Sequence, residues 1–315
     1  MLSMDHLYCI GEAIVDFIPA DEAPLLAPMP GGATANTASA AAKLGVPSSF
    51  IGKVGDDGFG RMMIDVMKGY GVDTTYMTMT SAACTTMSFV TLTPDGDRSF
   101  TFARKPGADM LLSEIDVPEG LFSSGDILHF GSIGIMPGTP SKEAHLKALR
   151  MAKDAGALIS YDPNVRLPLW DDHEVLKATI MEFLPFADIV KVSDDELDFI
   201  FGTSDENTAA KICFENGACV LFVTRGKNGA AVYTKDLSYE TEGIPVLAVD
   251  TTGAGDAFNG AMLSRFIGRP LKDCLTPDAL TEMLIYANKA GSITVTRKGA
   301  MAGSPTPEDI KLFRY

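Results

Sequence analysis

The stretch that decides the fold runs from residue 126 to 161: Asp126-Ile127-Leu128-His129-Phe130, an amphipathic segment over 141–155, then Ala157-Leu158-Ile159-Ser160-Tyr161. Both flanking runs are short and continuously apolar, the pattern of parallel strands covered on two faces. Between them Ala144, Leu146, Ala148, Leu149 and Ala152 fall mostly on one helical face. This is a strand, a crossover helix and a second strand. The same kind of run recurs at Asp188-Ile189-Val190-Lys191-Val192 and Cys219-Val220-Leu221-Phe222-Val223. The sequence therefore predicts a doubly wound, mostly parallel α/β sheet flanked by helices.

The N-terminal third departs from this rhythm. A first strand over 7–11 is followed at once by more strand, Ala13-Ile14-Val15-Asp16-Phe17-Ile18-Pro19, with no room for a crossover helix. Further on, strands over 85–92 and 98–102 flank Pro94-Asp95-Gly96-Asp97, a turn of hairpin chemistry. These pieces predict a small antiparallel sheet set apart from the main one. No repeat, low-complexity tract or long linker interrupts the chain.

Composition narrows the function. The chain has 315 residues with 26 basic and 41 acidic side chains, a formal charge of −15, so it lacks the basic footprint of a nucleic-acid binder. No apolar run approaches the ~20 residues that span a bilayer. Residues 1–6 carry neither a basic leader nor an apolar core, and a cytoplasmic location with no membrane partner is expected. The five cysteines are dispersed without a Cys-x-x-Cys pair and the four histidines are scattered, which argues against a disulfide framework or a metal cage.

Three glycine-rich elements carry the chemical information. Asp250-Thr251-Thr252-Gly253-Ala254-Gly255-Asp256 follows a strand-like run over 244–249 and opens a helix reaching Ile267. Glycines just before a helix let backbone N–H groups converge on an anion, with the helix dipole adding positive potential. Asp256 beside an anion site is either a general base for an attacking hydroxyl or an acid favoured by the helix terminus. Gly31-Gly32-Ala33-Thr34-Ala35-Asn36 runs into a small-residue helix over 37–44. Asn36 there suits a sugar hydroxyl, or is a cap in a tightly packed helix. Val223-Thr224-Arg225-Gly226-Lys227-Asn228-Gly229 joins two strands and lines a ligand or makes a plain turn. Neither a Walker A loop nor a dinucleotide fingerprint is present, because no Gly-Lys is followed by Ser or Thr and the strongest glycine loop lies near the C-terminus.

Together these residues resemble the ribokinase-like, or PfkB, carbohydrate kinases over essentially the whole chain. The N-terminal signature is Gly31-Gly32-Ala33-x-x-Asn36 with Leu44-Gly45, continuing to Ile51-Gly52-Lys53-Val54-Gly55-Asp56-Asp57-x-Phe59-Gly60; the C-terminal one is residues 250–256. Within the family the chain looks most like the fructokinases, through Gly11-Glu12-Ala13-x-x-Asp16-Phe17, Asp95-Gly96-Asp97-Arg98-x-Phe100, Pro106-Gly107-Ala108-Asp109 and Ser160-Tyr161-Asp162-Pro163-Asn164-Val165-Arg166-Leu167-Pro168-Leu169-Trp170.

The resemblance implies MgATP-dependent phosphorylation of the primary hydroxyl of D-fructose. In-family rivals are kinases of ribose or 2-keto-3-deoxygluconate, and the rival from another class is a silent sugar- or nucleotide-binding homologue. It implies Asp256 as base and the amides of Gly253, Ala254 and Gly255 as anion hole. Asp16, Gly32, Asn36, Arg104, Asn164 and Arg166 would hold the sugar or lie near it. Lys191, Ser193, Thr224, Gly226, Gly229 and Asn288, the last in a helix over 286–293, would line the nucleotide. Glu196 would hold Mg²⁺ through water, although Ser193 stands where the family's Asn-x-x-Glu motif has Asn. Asp250 and Thr252, with residues 294–299, are the matching places for a monovalent cation such as K⁺. The resemblance also divides the chain into a main domain (1–12, 34–74, 109–315) and a β-sheet lid (13–33, 75–108), through which a homodimer would form.

Overall fold

The computed structural model describes residues 5–19, 25–92 and 98–314, with backbone only for 91, 92 and 98–100. Its strands are β1 (Leu7–Ile10), β2 (Ile14–Pro19), β3 (Leu26–Gly31), β4 (Ser48–Gly55), β5 (Val72–Asp73), β6 (Met77–Thr80), β7 (Met87–Leu92), β8 (Arg98–Ala103), β9 (Ile127–Gly131), β10 (Leu158–Asp162), β11 (Ile189–Ser193), β12 (Val220–Thr224), β13 (Ala230–Tyr233) and β14 (Ser238–Thr241). The helices are α1 (Ala33–Lys43), α2 (Gly58–Gly69), α3 (Pro140–Ala155), α4 (His173–Phe183), α5 (Asp194–Phe201), α6 (Glu206–Glu215), α7 (Ala254–Leu263), α8 (Leu271–Cys274), α9 (Pro277–Thr294), α10 (Ala300–Gly303) and α11 (Pro307–Leu312).

The main sheet has the order β14-β13-β12-β11-β10-β9-β1-β4-β5, with β6 also beside β4. From β12 to β5 every pairing is parallel, and only the pairs β12–β13 and β13–β14 at one edge are antiparallel. Alternate residues of one strand feed two separate cores. Leu7 and Cys9 of β1 join Phe222, Phe258 and Met283 on one face, whereas Tyr8 and Ile10 join Phe130, Tyr161 and Phe183 on the other. Burial on both faces explains why these strands read as unbroken apolar runs. Helix α3 buries Ala144, Ala148, Leu149 and Ala152 as its period predicts, while Leu146 stays half-exposed at the edge of the stripe.

A second sheet has the order β3-β2-β7-β8. Its outer pairs are antiparallel, but the central pair β2–β7 is parallel, because β7 returns to the sheet only after a long excursion through the main domain. That excursion includes β6, which lies along β4, so residues 77–80 belong with the main sheet rather than with a lid beginning at 75. The turn Pro94–Asp97 and the side chains of Arg98 and Phe100 lie outside the described residues.

Several local expectations are revised. Residues 244–249 form no strand: Pro245 lacks a donor, Leu247 and Val249 are exposed, and the segment is tied by N–H bonds from Val249 and Asp250 to the Val295 carbonyl. Helix α7 stops at Leu263 instead of Ile267. There Arg265 and Phe266 donate to Met262 and Leu263, three residues back, and the Ser264 hydroxyl bonds Ala261 O at 2.6 Å, so the last turn tightens. Helix α1 begins earlier than 37, at Ala33, and its N-cap is Gly32, not Asn36. The helix carrying Asn288 is α9, longer than 286–293. None of the described helices is long and apolar enough to cross a membrane.

Candidate active site

Residues from the carboxyl ends of β10, β11 and β12 converge with the first turns of α1 and α7, the location where open parallel sheets place ligands. Asp162 ends β10, and Ser193 and Thr224 end β11 and β12 as register partners. Helix α7 enters this cleft through Gly253, whose φ of 79° lies in the left-handed region and whose position leaves no space for a side chain: a Cβ would sit 2.7 Å from Ala300 Cα. Gly32 is comparable, with φ 105° and the Glu12 carbonyl where a Cβ would go. Gly255 and Asp256 then lie in the first helical turn, where N–H groups have no intrahelical acceptor.

Close helix packing brings the two signatures together. A Cβ on Gly260 of α7 would lie 2.8 Å from Ala40 Cβ and 2.9 Å from Ala41 N of α1. At that separation the Asn36 amide donates to Asp256 Oδ2 at 2.8 Å. The small-residue packing thus gives Asn36 a polar partner of its own, Asp256, across the two helices. Asp256 keeps one edge open to solvent but is otherwise surrounded by protein. Loss of water pushes its carboxyl up to about 6, helped by Asp162 and opposed by the Asn36 bond, Lys191 and Arg166.

Lys191 is buried, and its ammonium lies 3.1 Å from Asp162 Oδ2 and 3.1 Å from where a Cβ of Gly255 would be. Burial lowers its pKa, but Asp162, Glu196 and Asp256 outweigh burial and hold it above the ordinary value. The same Asp162 oxygen accepts from Asn259 Nδ2 at 2.7 Å, and the other accepts from Asn164 N at 3.1 Å. Asn164 is the one non-glycine among the described residues with positive φ, 45°. Asp162 and Asn259 carried no role in the sequence reading. Asn259 was findable as the residue three after Asp256, on the same helix face; Asp162 was visible only as part of a longer motif.

The remaining candidates divide. Asp16 on β2 accepts from the Ser88 hydroxyl; burial raises its pKa, against Ser88 and Arg166. Arg166 is exposed beside the cleft and bonds Val165 O. Arg104 is not in the open cleft: it is buried, with its fork on Asp109 at 2.7 and 2.8 Å and on Ile133 O at 2.9 Å. Glu196 accepts from Ser193 N at 2.8 Å and Val165 N at 2.5 Å, so it ties α5 to the loop carrying Arg166. Asn288 donates to Glu242 O at 2.9 Å; Gly226 is open on its Cβ side, and Gly229 packs against residues 241–243. Asp250 accepts from Thr252 N and Gly299 N, both at 3.0 Å. Two cavities, of about 570 and 710 Å³, lie away from this cleft.

The model of the pfkB family carbohydrate kinases matches residues 4–307. This chain belongs to that family. Probable fructokinase-5 of Arabidopsis thaliana is 42% identical over 316 residues, covering 98% of this chain and 97% of its own. The structure of fructokinase from Vibrio cholerae O395, with fructose, ADP and calcium bound, superposes with a TM-score of 0.90 at 35% identity, covering 98% and 99% of the two chains. Aminoimidazole riboside kinase from Salmonella enterica, complexed with aminoimidazole riboside and an ATP analogue, gives 0.86 at 32% identity over 98% of each chain.

A feature common to neither glycine loop is Glu12, buried at the junction of β1 and β2, where it accepts from Ala33 N at 2.7 Å and so holds the start of α1. Burial pushes its carboxyl up to about 7, aided by Asp109. A raised folded pKa means the folded state binds the extra proton, so stability falls as pH rises from the ordinary range near 4.5 through about 7. At ~1.4 kcal/mol per pH unit crossed, the cost of ionising Glu12 is on the order of 3 kcal/mol. Glu12→Gln is expected to flatten the decline of Tm between pH 5 and 8; a decline unchanged by the substitution would assign it elsewhere.

Proposed function

We propose that this PfkB-family kinase transfers the γ-phosphoryl group of ATP to the primary hydroxyl of D-fructose, giving fructose 6-phosphate and ADP. The observation that carries the chemistry is the Asp256 carboxylate in the first turn of α7, held by Asn36 and adjoining Lys191. A fructose hydroxyl in front of Asp256 loses its proton to the carboxylate as its oxygen attacks the γ-phosphorus, and the bond to the β,γ-bridging oxygen breaks to release ADP. Charge that builds on the transferred group meets the N–H groups at the start of α7, those of Gly253 and Gly255 above all, with the helix dipole and the Lys191 ammonium. Arg166, exposed at the rim, adds a fork of donors.

Asp16 and Asn36 are assigned to sugar hydroxyls, with Gly32 allowing close backbone approach; Thr224, Gly226, Gly229 and Asn288 are assigned to the nucleotide. Among the described residues no three His, Cys, Asp or Glu side chains could cage a metal. Glu196 nevertheless fits Mg²⁺ held through water, since each of its oxygens accepts one N–H and keeps a lone pair, and Mg²⁺ retains waters readily. When bound, Mg²⁺ neutralises phosphate charge. The Asp250 bonds that join 250–252 to Gly299 support a K⁺ site of backbone oxygens there. The four-stranded sheet is assigned as a lid that excludes water before transfer.

Fructose is favoured by the fructokinases among the relatives and by the retained motif around Asp16. The riboside kinase supplies a second reading, since it also covers the chain end to end. A panel of fructose, ribose, 2-keto-3-deoxygluconate and aminoimidazole riboside in an ADP-release assay is expected to give fructose the highest kcat/KM. A tenfold or greater preference for another substrate would replace the assignment, and binding without ADP release would point to a silent homologue.

A further inference from the structure

We infer that Asn259 is a positioning residue for phosphoryl transfer: it fixes the Asp162 carboxylate, and through it the Lys191 ammonium, beside the first turn of α7. The inference rests on the proposed kinase activity and not on the choice of sugar. Asp162 and Lys191 lie two places along from Ser160 and Ile189, register partners of β10 and β11, so both side chains leave the same face of the sheet. Asp162 Oδ2 accepts from Lys191 Nζ at 3.1 Å and from Asn259 Nδ2 at 2.7 Å, while Oδ1 accepts from Asn164 N at 3.1 Å. The carboxylate is thereby held from its own strand end, from β11 and from α7.

Stiffness decides which of these groups positions the others. Lys191 carries its charge on a long flexible stem, and Glu196 and Asp256 attract it as well as Asp162. A swing onto Asp256 would pair the cation with the base and withdraw it from the transferred group. Among the described residues the ammonium has one hydrogen-bond acceptor, Asp162, which leaves N–H groups for a phosphate oxygen. Asn259 is short, 1% exposed and next to Gly260, whose close packing on Ala40 and Ala41 fixes α7. It lies three residues beyond Asp256 on that helix, so one rigid turn carries both the base and the anchor of the cation. Its own carbonyl, Oδ1, is buried with no partner among the described residues. A half-satisfied buried amide is a poor device for stability alone, and its donor is what the site uses.

The test is steady-state kinetics of Asn259→Ala on whichever sugar of the panel gives the highest kcat/KM. A misplacement of about 1 Å in an active site costs up to the order of 10²-fold, so kcat is expected to fall about 10–10²-fold. KM for ATP and for the sugar is expected to change less than about threefold, since binding contacts are untouched. In the Lys191→Met, Asp162→Asn background the same substitution is expected to lower kcat no further, because nothing remains for the amide to hold. Asn259→Ser, a small polar replacement in a small-residue helix, repeats the measurement if the alanine variant does not fold. A purely structural knot predicts a lower Tm with kcat of the folded protein unchanged; that result, or an equal loss of kcat in both backgrounds, would overturn the inference. So would a crystal structure of the variant in which the Asp162 carboxylate and Lys191 Nζ keep their places. Absence of turnover in the wild type is a different failure, which removes the kinase activity itself and this inference with it.

Discussion

Asp256→Asn is expected to lower kcat by about 10²–10⁴-fold, the usual contribution of positioned proton transfer, while the protein remains folded. The substitution keeps the size of the side chain and an oxygen for the Asn36 amide, so what it removes is the ability to accept a proton. Wild-type kcat/KM is expected to fall tenfold per pH unit below about 6, where burial places the Asp256 carboxyl; the carboxylate is the active form, so protonation on acidification switches it off. Asp256→Asn loses this acid limb together with the rate. A variant that kept more than a few per cent of turnover, or the same acid limb, would show that another group takes the proton.

Lys191→Met is expected to affect both rate and stability. The ammonium is buried against Asp162, and removing one member of such a pair leaves an uncompensated charge, at a cost of about 3–5 kcal/mol. Loss of a cation beside the transferred group adds a drop in kcat of about 10²–10³-fold, as for removal of one donor from an oxyanion hole. The two effects separate in the double variant Lys191→Met, Asp162→Asn. With the Asp162 charge removed as well, part of the lost Tm is expected to return, while kcat stays low. Recovery of kcat along with Tm would make Lys191 a purely structural partner of Asp162.

These pairings also revise the electrostatic picture drawn from composition. The net charge of −15 poses a problem for a chain whose cosubstrate is a polyanion, and local cations are the natural answer. Yet Lys191 is largely balanced by Asp162, with Glu196 and Asp256 nearby, and Arg166 is solvated at the rim. In the proposed reaction the attraction for phosphate would rest on the first-turn N–H groups and dipole of α7 as much as on side-chain charge.

Much of this site was legible beforehand. The glycine loops, Asn36 and Asp256 lie at strand ends and helix starts, and those boundaries are set by neighbours within a few residues; Lys191 sits in the middle of an apolar strand run, where a lone cation stands out. The second sheet was visible from alternating residues and from the lack of space between β1 and β2, but its parallel central pair was not, because β2 and β7 are joined through the main domain. The mistaken strand at 244–249 shows the same limit: an apolar run signals burial only if something covers it, and here Leu247 is left in solvent.

The sequence by itself determined most of the segments that become strands and helices, where the glycine turn before α7 lies and which family the chain joins, because periodicity and glycine placement act over short range. The tertiary structure alone decided that Asn36 holds Asp256 across 220 residues, that Asp162 gathers Lys191, Asn259 and Asn164, and that Arg104 is spent on Asp109 rather than offered to the cleft. Partner choice among buried polar groups depends on sheet register and helix approach to within an ångström or two, and each buried charge takes whichever partner that packing leaves within reach.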